Sequence, residues 1–340
     1  MIFDFCMFRS STIFIFIVLY CVNIATAQKK DTVFIRNFST KDFKTSSINY
    51  TGIIDKKGAV LFANENGILH YDGSEWSLIT ITDFGSAFSL HTAPNGVIYV
   101  GGNNEFGYLV EDENLYRYQS LRHTIADNIN LDIVWQVKDA GQSIYFASYE
   151  KIIRYETGKS HIIDIDNGSI FKVGDEILVS RFDDGIYKIK EDSAYLHNDT
   201  YHWEEDNVYS SLPSLKDTNS YILYTSENGI YTYDPKVNVI EPFATSDDAL
   251  IDSGWLYNGQ IWNDSLYIFS TWREGFIMMD KEGEIVKTIT LENGLLTDNY
   301  QDFILDSRNN IWSTSTNGIS YIPYLLAGNQ NTRIPLRVGP

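Results

Sequence analysis

Tryptophan next to arginine is the pairing in this chain best suited to holding a polar ligand. It occurs at Trp272-Arg273, where a bulky, charged pair stands in a turn context that elsewhere carries small residues. Trp135 and Trp255 offer two further indole faces, and Glu105, Phe106, Arg181, Asp183, Asp298 and Asn299 supply charged, amide and aromatic groups in related turns. An indole presents a flat apolar face with a polar edge, while Arg, Glu, Asp and Asn fix orientation through hydrogen bonds. That set suits a saccharide or another polar small molecule.

Bond-breaking chemistry has less support. The sequence has no G-x-S-x-G nucleophile elbow, phosphate loop or dinucleotide fingerprint, and nothing in it implies a cofactor. Of the six histidines, only His197 and His202 are close in sequence. Their spacing puts them on opposite faces of a strand, so the pair reads as a solvated loop rather than a metal site. Glu204-Glu205-Asp206 reads as an exposed acidic turn. Carboxylates are plentiful, but no motif marks a catalytic pair. The expectation is therefore a binding protein that is not an enzyme. A polysaccharide-active hydrolase or lyase and a protein-binding scaffold are the alternatives.

Charge narrows the partners. The 340 residues carry 26 basic against 45 acidic side chains, a net of -19. Such a surface repels phosphate backbones and anionic lipid leaflets, so no nucleic-acid partner is expected. The segment 1–27 has the layout of a cleaved secretory signal: Arg9, an apolar run from Ile13 to Val22, then Ala25-Thr26-Ala27. Both cysteines, Cys6 and Cys21, lie in it, so the mature chain would have neither disulfides nor thiolate metal sites. A periplasmic or secreted location follows from that reading.

These candidate residues must be positioned by short strands. Aromatics make up 14% of the chain, with only 7 prolines against 23 glycines, which favours strands joined by Gly/Asn/Asp turns. One unit recurs, in which a β-branched or aromatic strand runs into a Gly-centred turn and then a second strand. The turns are Asn66-Gly67-Ile68, Phe106-Gly107-Tyr108, Asp184-Gly185-Ile186, Asn228-Gly229-Ile230, Glu274-Gly275-Phe276 and Asn317-Gly318-Ile319, with a degenerate copy at Glu150-Lys151-Ile152. Their period is about 42 residues, enough for four short strands and their turns, which is the signature of a β-propeller blade. Seven copies predict an all-β, seven-bladed propeller over residues 33–322.

Ring closure is also legible. Shifted by six repeats, Phe38 to Tyr71 aligns without gaps on Ile289 to Ile322, with Asp55 on Asp306 and Gly67 on Gly318. The stretch Phe34-Ile35-Arg36-Asn37-Phe38 then falls on Ile285-Val286-Lys287-Thr288-Ile289, the outer strand that ends the sixth blade. The N-terminal strand is thus one phase ahead of its own blade. It is expected to join the last blade as its outermost strand, leaving no unpaired edge at the seam.

The repeats resemble the two-component regulator propeller repeats of extracytoplasmic sensors from Bacteroidetes-type bacteria. The motifs are Glu292-Asn293-Gly294-Leu295, Asp306-Ser307-Arg308-Asn309-Asn310-Ile311-Trp312 and Thr316-Asn317-Gly318-Ile319. Asn309 and Ser313 stand where that pattern usually has glycine. Ala63-Asn64-Glu65-Asn66-Gly67-Ile68 and Gly101-Gly102-Asn103-Asn104-Glu105-Phe106 resemble the first blades of relatives whose propeller precedes a triple-tyrosine domain. The resemblance implies a periplasmic ligand-sensing module. Ligand binding would tilt or homodimerise it and so bias a membrane signalling partner. Residues 323–340 are too short a tail for an output domain, so a separate sensor module, a split gene or a truncated product is expected.

In a propeller, ligands usually meet the face formed by two loop sets, one leading into each innermost strand and one joining the second and third strands. The first set holds Trp135, Trp255, Asp298 and Asn299, and the second holds Glu105, Phe106, Arg181, Asp183, Trp272 and Arg273. Trp312 and Tyr99 are expected in the core.

Overall fold

The computed structural model describes residues 35–324 except 83–84, 113–114, 166–167, 183, 200–205 and 226. The expected secretory segment, Asp183, His202, Glu204-Glu205 and tail residues 325–340 lie outside the described residues.

Burial peaks in the second strand of each blade, which neighbouring sheets cover on both faces, while innermost strands such as Gln136–Ala140 alternate half-buried and buried residues. Second strands such as Val60–Asn64, Ile98–Gly102 and Ile311–Ser315 are buried at every position, so they read as continuous runs of apolar and small residues. Outermost strands meet water on one face and alternate, as Leu115–Ser120 does with exposed and half-buried residues in turn.

The strands form seven four-stranded antiparallel sheets. Six use four consecutive strands. The seventh takes three from Asp302–Leu305, Ile311–Ser315 and Gly318–Ile322, and its outermost strand is Arg36–Phe38. Arg36 pairs with Tyr321 and Phe38 with Ile319, so the expected closure by the N-terminal strand holds. Phe38 is buried beside Trp312 and Trp76, with ring centroids 5.7 and 5.3 Å away. Gly318 makes the approach feasible: its φ of 132° suits glycine, and a Cβ there would collide with the Phe38 carbonyl oxygen.

The core lies between successive blades. Tyr99 and Phe106 of blade 2 pack against Phe146 and Ile153 of blade 3, for example. Tyr99 and Trp312 are both buried, as expected. The polar turns that begin second strands are structural. Asp306 accepts from the backbone N–H groups of Arg308 and Asn310, and Asp55 from those of Lys57 and Ala59. Among the described residues, two short α-helices break the β pattern, at Thr40–Phe43 and Asp248–Gly254. No helix among the described residues is long and apolar enough to cross a membrane.

Candidate functional site

At the axis, the innermost strands of six blades surround a cavity of about 980 Å³. Its upper wall is aromatic. Tyr50, Phe88, Trp135, Tyr209 and Tyr257 come from blades 1, 2, 3, 5 and 6, and Tyr149 and Phe182 reach in from second-to-third-strand turns. Four of these rings point inward for one reason. The innermost strands of blades 1, 2, 5 and 6 shift register between Asn49 and Gly52, Ala87 and Ser89, Val208 and Ser210, and Leu256 and Asn258. Each β-bulge holds one of the aromatics and re-aims it toward the axis. Trp135 occupies the same place in blade 3, just before Gln136, which pairs with Ala147.

The rings form a partly continuous stack. Trp135 lies parallel to Tyr149 at 5.8 Å and edge-on to Tyr209 at 6.0 Å, Tyr209 meets Tyr257 at 5.1 Å, and Tyr50 meets Phe88 at 4.6 Å. Burial pushes the Tyr209 and Tyr257 phenols above their ordinary value, so both stay protonated and neutral.

One residue deeper lies a polar row, and most of it ties blade to blade. Thr51 Oγ1 accepts from Leu90 N at 3.0 Å, and Ser89 donates to the Val134 carbonyl at 2.8 Å. Gln136 accepts from Ile170 N at 2.7 Å and donates to the Tyr209 carbonyl at 3.3 Å. Tyr224 accepts from Gly259 N at 2.9 Å, and Asn258 donates to the Phe303 carbonyl at 3.2 Å. Asp302 closes the circle by accepting from Gly52 N at 2.9 Å, Phe303 N at 2.8 Å and the Asn258 amide. Burial dominates its carboxyl and pushes it up to about 7, although all three donors and the Lys138 charge pull the other way.

Deeper still, Lys138 and His91 line the cavity. His91 shares Asp139 with Lys172, with contacts of 2.7 and 2.9 Å. Desolvation drives the His91 imidazole below its ordinary value, so it is neutral near pH 7. Burial would raise Asp139, but hydrogen bonds from Lys172 and His91 outweigh that and hold it low. Lys138 is pushed down by burial, with Asp302 the leading charge that opposes the shift.

Two buried polar groups near this face have no hydrogen-bond partner among the described residues, the Trp135 indole Nε1 and the Asn299 amide oxygen. The indole belongs to a residue that lines the cavity, so a ligand or water must satisfy it.

Of the ten residues singled out in the sequence, Trp135 alone lines this cavity among those described. Trp272 stands one ring behind the wall, stacked on Tyr257 at 5.9 Å. Arg273 is exposed, with its guanidinium 4.2 Å above the Trp255 ring. Both residues donate backbone N–H groups to the Gly254 carbonyl, the end of the short helix 248–254. Glu105 is buried and accepts from Phe106 N, Tyr118 OH and Ser120 Oγ at 2.7–2.9 Å, so it holds its own blade together. Phe106 is fully buried against Phe146 at 5.0 Å. Arg181 pairs with Asp184 at 2.8 Å and lies over the Tyr187 ring. Asp298 binds Gly275 N through its carbonyl and Leu291 N through its carboxylate. Asn299 is half-buried, and its backbone N–H donates to Thr297 Oγ1.

The collar tyrosines were not among those ten. A signal existed: an aromatic followed by a polar residue recurs at one place in the repeat, as Tyr50-Thr51, Phe88-Ser89, Trp135-Gln136, Tyr209-Ser210 and Tyr257-Asn258. Each looks like ordinary strand alternation until the bulge is known.

No family model matches the chain, and no curated protein matches it. Solved structures do share the fold. The extracellular domain of a putative one component system from B. thetaiotaomicron is similar with a TM-score of 0.67 and 13% identity, over 86% of this chain and 40% of that one. That of a putative hybrid two component system from B. thetaiotaomicron gives 0.58 and 13%, over 85% and 41%. The chain thus spans about two fifths of the length of these two structures. Virginiamycin B lyase from Staphylococcus aureus gives 0.66 and 12%, over 85% of this chain and 98% of that one.

Proposed function

We propose that the chain is an extracytoplasmic sensor propeller. It would bind a saccharide or another polar small molecule in the axial cavity without breaking bonds in it. The observation that carries this reading is the Trp135 indole N–H, unpartnered in an aromatic collar over a cavity of about 980 Å³. Sugar rings offer apolar C–H faces to such rings and hydroxyls to such N–H groups. The sequence motifs and the shared fold with extracellular domains of bacterial signalling systems support the sensor role. Ligand binding would shift the balance between two arrangements of the module, through tilting or homodimerisation, and pass that bias to a membrane signalling partner.

Catalysis is the second reading. Two observations favour it: the His91–Asp139 pair opens onto the cavity, and a lyase is built on a ring of similar extent. Turnover of a bound glycan, lost on His91→Ala, would establish it.

A thermal-shift screen against a glycan library tests the binding reading. A true ligand at a hundredfold excess over its Kd stabilises the fold by about 2.7 kcal/mol. Trp135→Ala is expected to abolish the shift while the ring still melts cooperatively. A shift unchanged in that variant would move the site elsewhere.

A further inference from the structure

We propose that the axial cavity selects saccharides bearing a carboxylate, and that Lys138 is the residue that receives it. This rests on the binding reading above and deepens it.

The argument is one of subtraction. Most polar side chains around the axis are already engaged within the protein. Gln136 and Asn258 bond to neighbouring blades, and Asp302 accepts three N–H groups. His91 is held by Asp139, which also binds Lys172. Lys138 is different. Its ammonium has three donors, and the only hydrogen bond it makes among the described residues is a long one, 3.4 Å, to Ser210 Oγ. It also makes no ion pair among the described residues, although it lines the cavity. A half-buried ammonium with no contacting anion has lost part of its hydration, and a carboxylate arriving with the ligand would offset that loss.

No carboxylate of the cavity lining, Glu227 included, makes an ion pair with Lys138 among the described residues. Asp139 is neutralised at contact by Lys172 and also accepts a hydrogen bond from His91. Asp302 has its oxygens occupied, and its raised pKa leaves it only partly charged near neutral pH. Asp206, also in the lining, accepts from the backbone N–H groups of Asn207, Glu227 and Asn228. With a chain net charge of -19, the overall field gives an anion no help, so its selection must be local to the cavity wall around Lys138. The aromatic collar above Lys138 would meet the sugar faces while the ammonium meets the acid group.

Calorimetric titration of the full chain with trigalacturonate and with its carboxyl-reduced, neutral counterpart tests this. The acid is expected to bind at least about tenfold more tightly. Lys138→Met should erase that preference, and Lys138→Arg should keep most of it. Circular dichroism would verify that both variants fold, and the comparison of the two ligands on the unaltered chain needs no variant. Equal affinity for the two, or tighter binding of the neutral one, overturns the selection of carboxylates but leaves saccharide binding standing. An acid preference that survives Lys138→Met overturns the assignment of Lys138. No binding of either sugar, together with no hit in the glycan screen, overturns this inference and the binding reading together. No binding of either sugar alongside a neutral hit in that screen overturns only the former.

Discussion

Two flanks of the axial cavity, built on equivalent innermost strands, carry opposite chemistry, with Asp302 level with Gln136 and Lys138 two residues deeper. On the seam flank, where blades 6, 7 and 1 meet, the charged group is Asp302, and Gly52, Phe303 and Asn258 all donate to it. On the blade 3 flank the charged group is Lys138, with a single long contact to Ser210, and Trp135 above it has an unpartnered indole N–H. The seam must hold two chain ends together without a covalent link, so its polar groups are spent on neighbouring blades. Blade 3 lies within the continuous chain and also spends Gln136 and Asp139 on its neighbours, but Lys138 and the Trp135 indole remain available to a ligand. A charged residue at a propeller axis is therefore not evidence of a site until its hydrogen bonds have been counted.

The sharpest way to break this comparison is to remove each charge in turn. Asp302→Ala orphans three buried donors and should cost about 3–5 kcal/mol in denaturant unfolding. Lys138→Met removes a desolvated charge with no close partner and should stay within about 1 kcal/mol of the unaltered protein. Similar costs for both would dissolve the distinction between the flanks.

The second effect depends on pH. Asp302 is raised from 3.8 to about 7, so the folded state binds more protons than the unfolded one between those values. Its penalty is absent below about 4 and grows as pH rises through 7. Between pH 5 and pH 8 it should remove about 2 to 3 kcal/mol of stability. His91 works in the opposite sense, because its lowered pKa makes it lose stability as pH falls below 6.5. Melting curves of Asp302→Asn against the unaltered chain isolate the first contribution. An equal pH slope in both would show that Asp302 is already ionised when folded.

The smallest effect belongs to the outer rim of blade 6. Trp272→Ala with Arg273→Ala removes a ring behind Tyr257 and a cation over Trp255, and neither residue lines the cavity. Ligand affinity is expected to fall by no more than about threefold, against a complete loss for Trp135→Ala. The reverse ranking would place the site at that rim.

The sequence carried the architecture unusually far. Gly-centred turns mark six of the seven blades because a residue without a Cβ fits best there, as at Gly318 beside the Phe38 carbonyl, and the spacing locates the seventh at Glu150-Lys151-Ile152. Even the closing strand could be read, since Arg36–Phe38 matches the outer strand of blade six in register. The candidate site was far less legible. Glu105 has the composition of a ligand-binding residue and spends its carboxylate on Phe106, Tyr118 and Ser120. Tyr209 and Tyr257 look like core residues and form the wall of the cavity.

Periodicity is a local property of the chain: blade number, strand order and the place of each turn follow from which residues tolerate a strand or a left-handed turn. Which polar groups stay free is a property of the closed ring. It depends on bulges that rotate one side chain in each of four innermost strands, and on hydrogen bonds between residues as far apart as Gly52 and Asp302. Such pairings exist only once the sheets are arranged around an axis, so only the tertiary structure could separate Trp135 and Lys138 from the groups that hold the ring together.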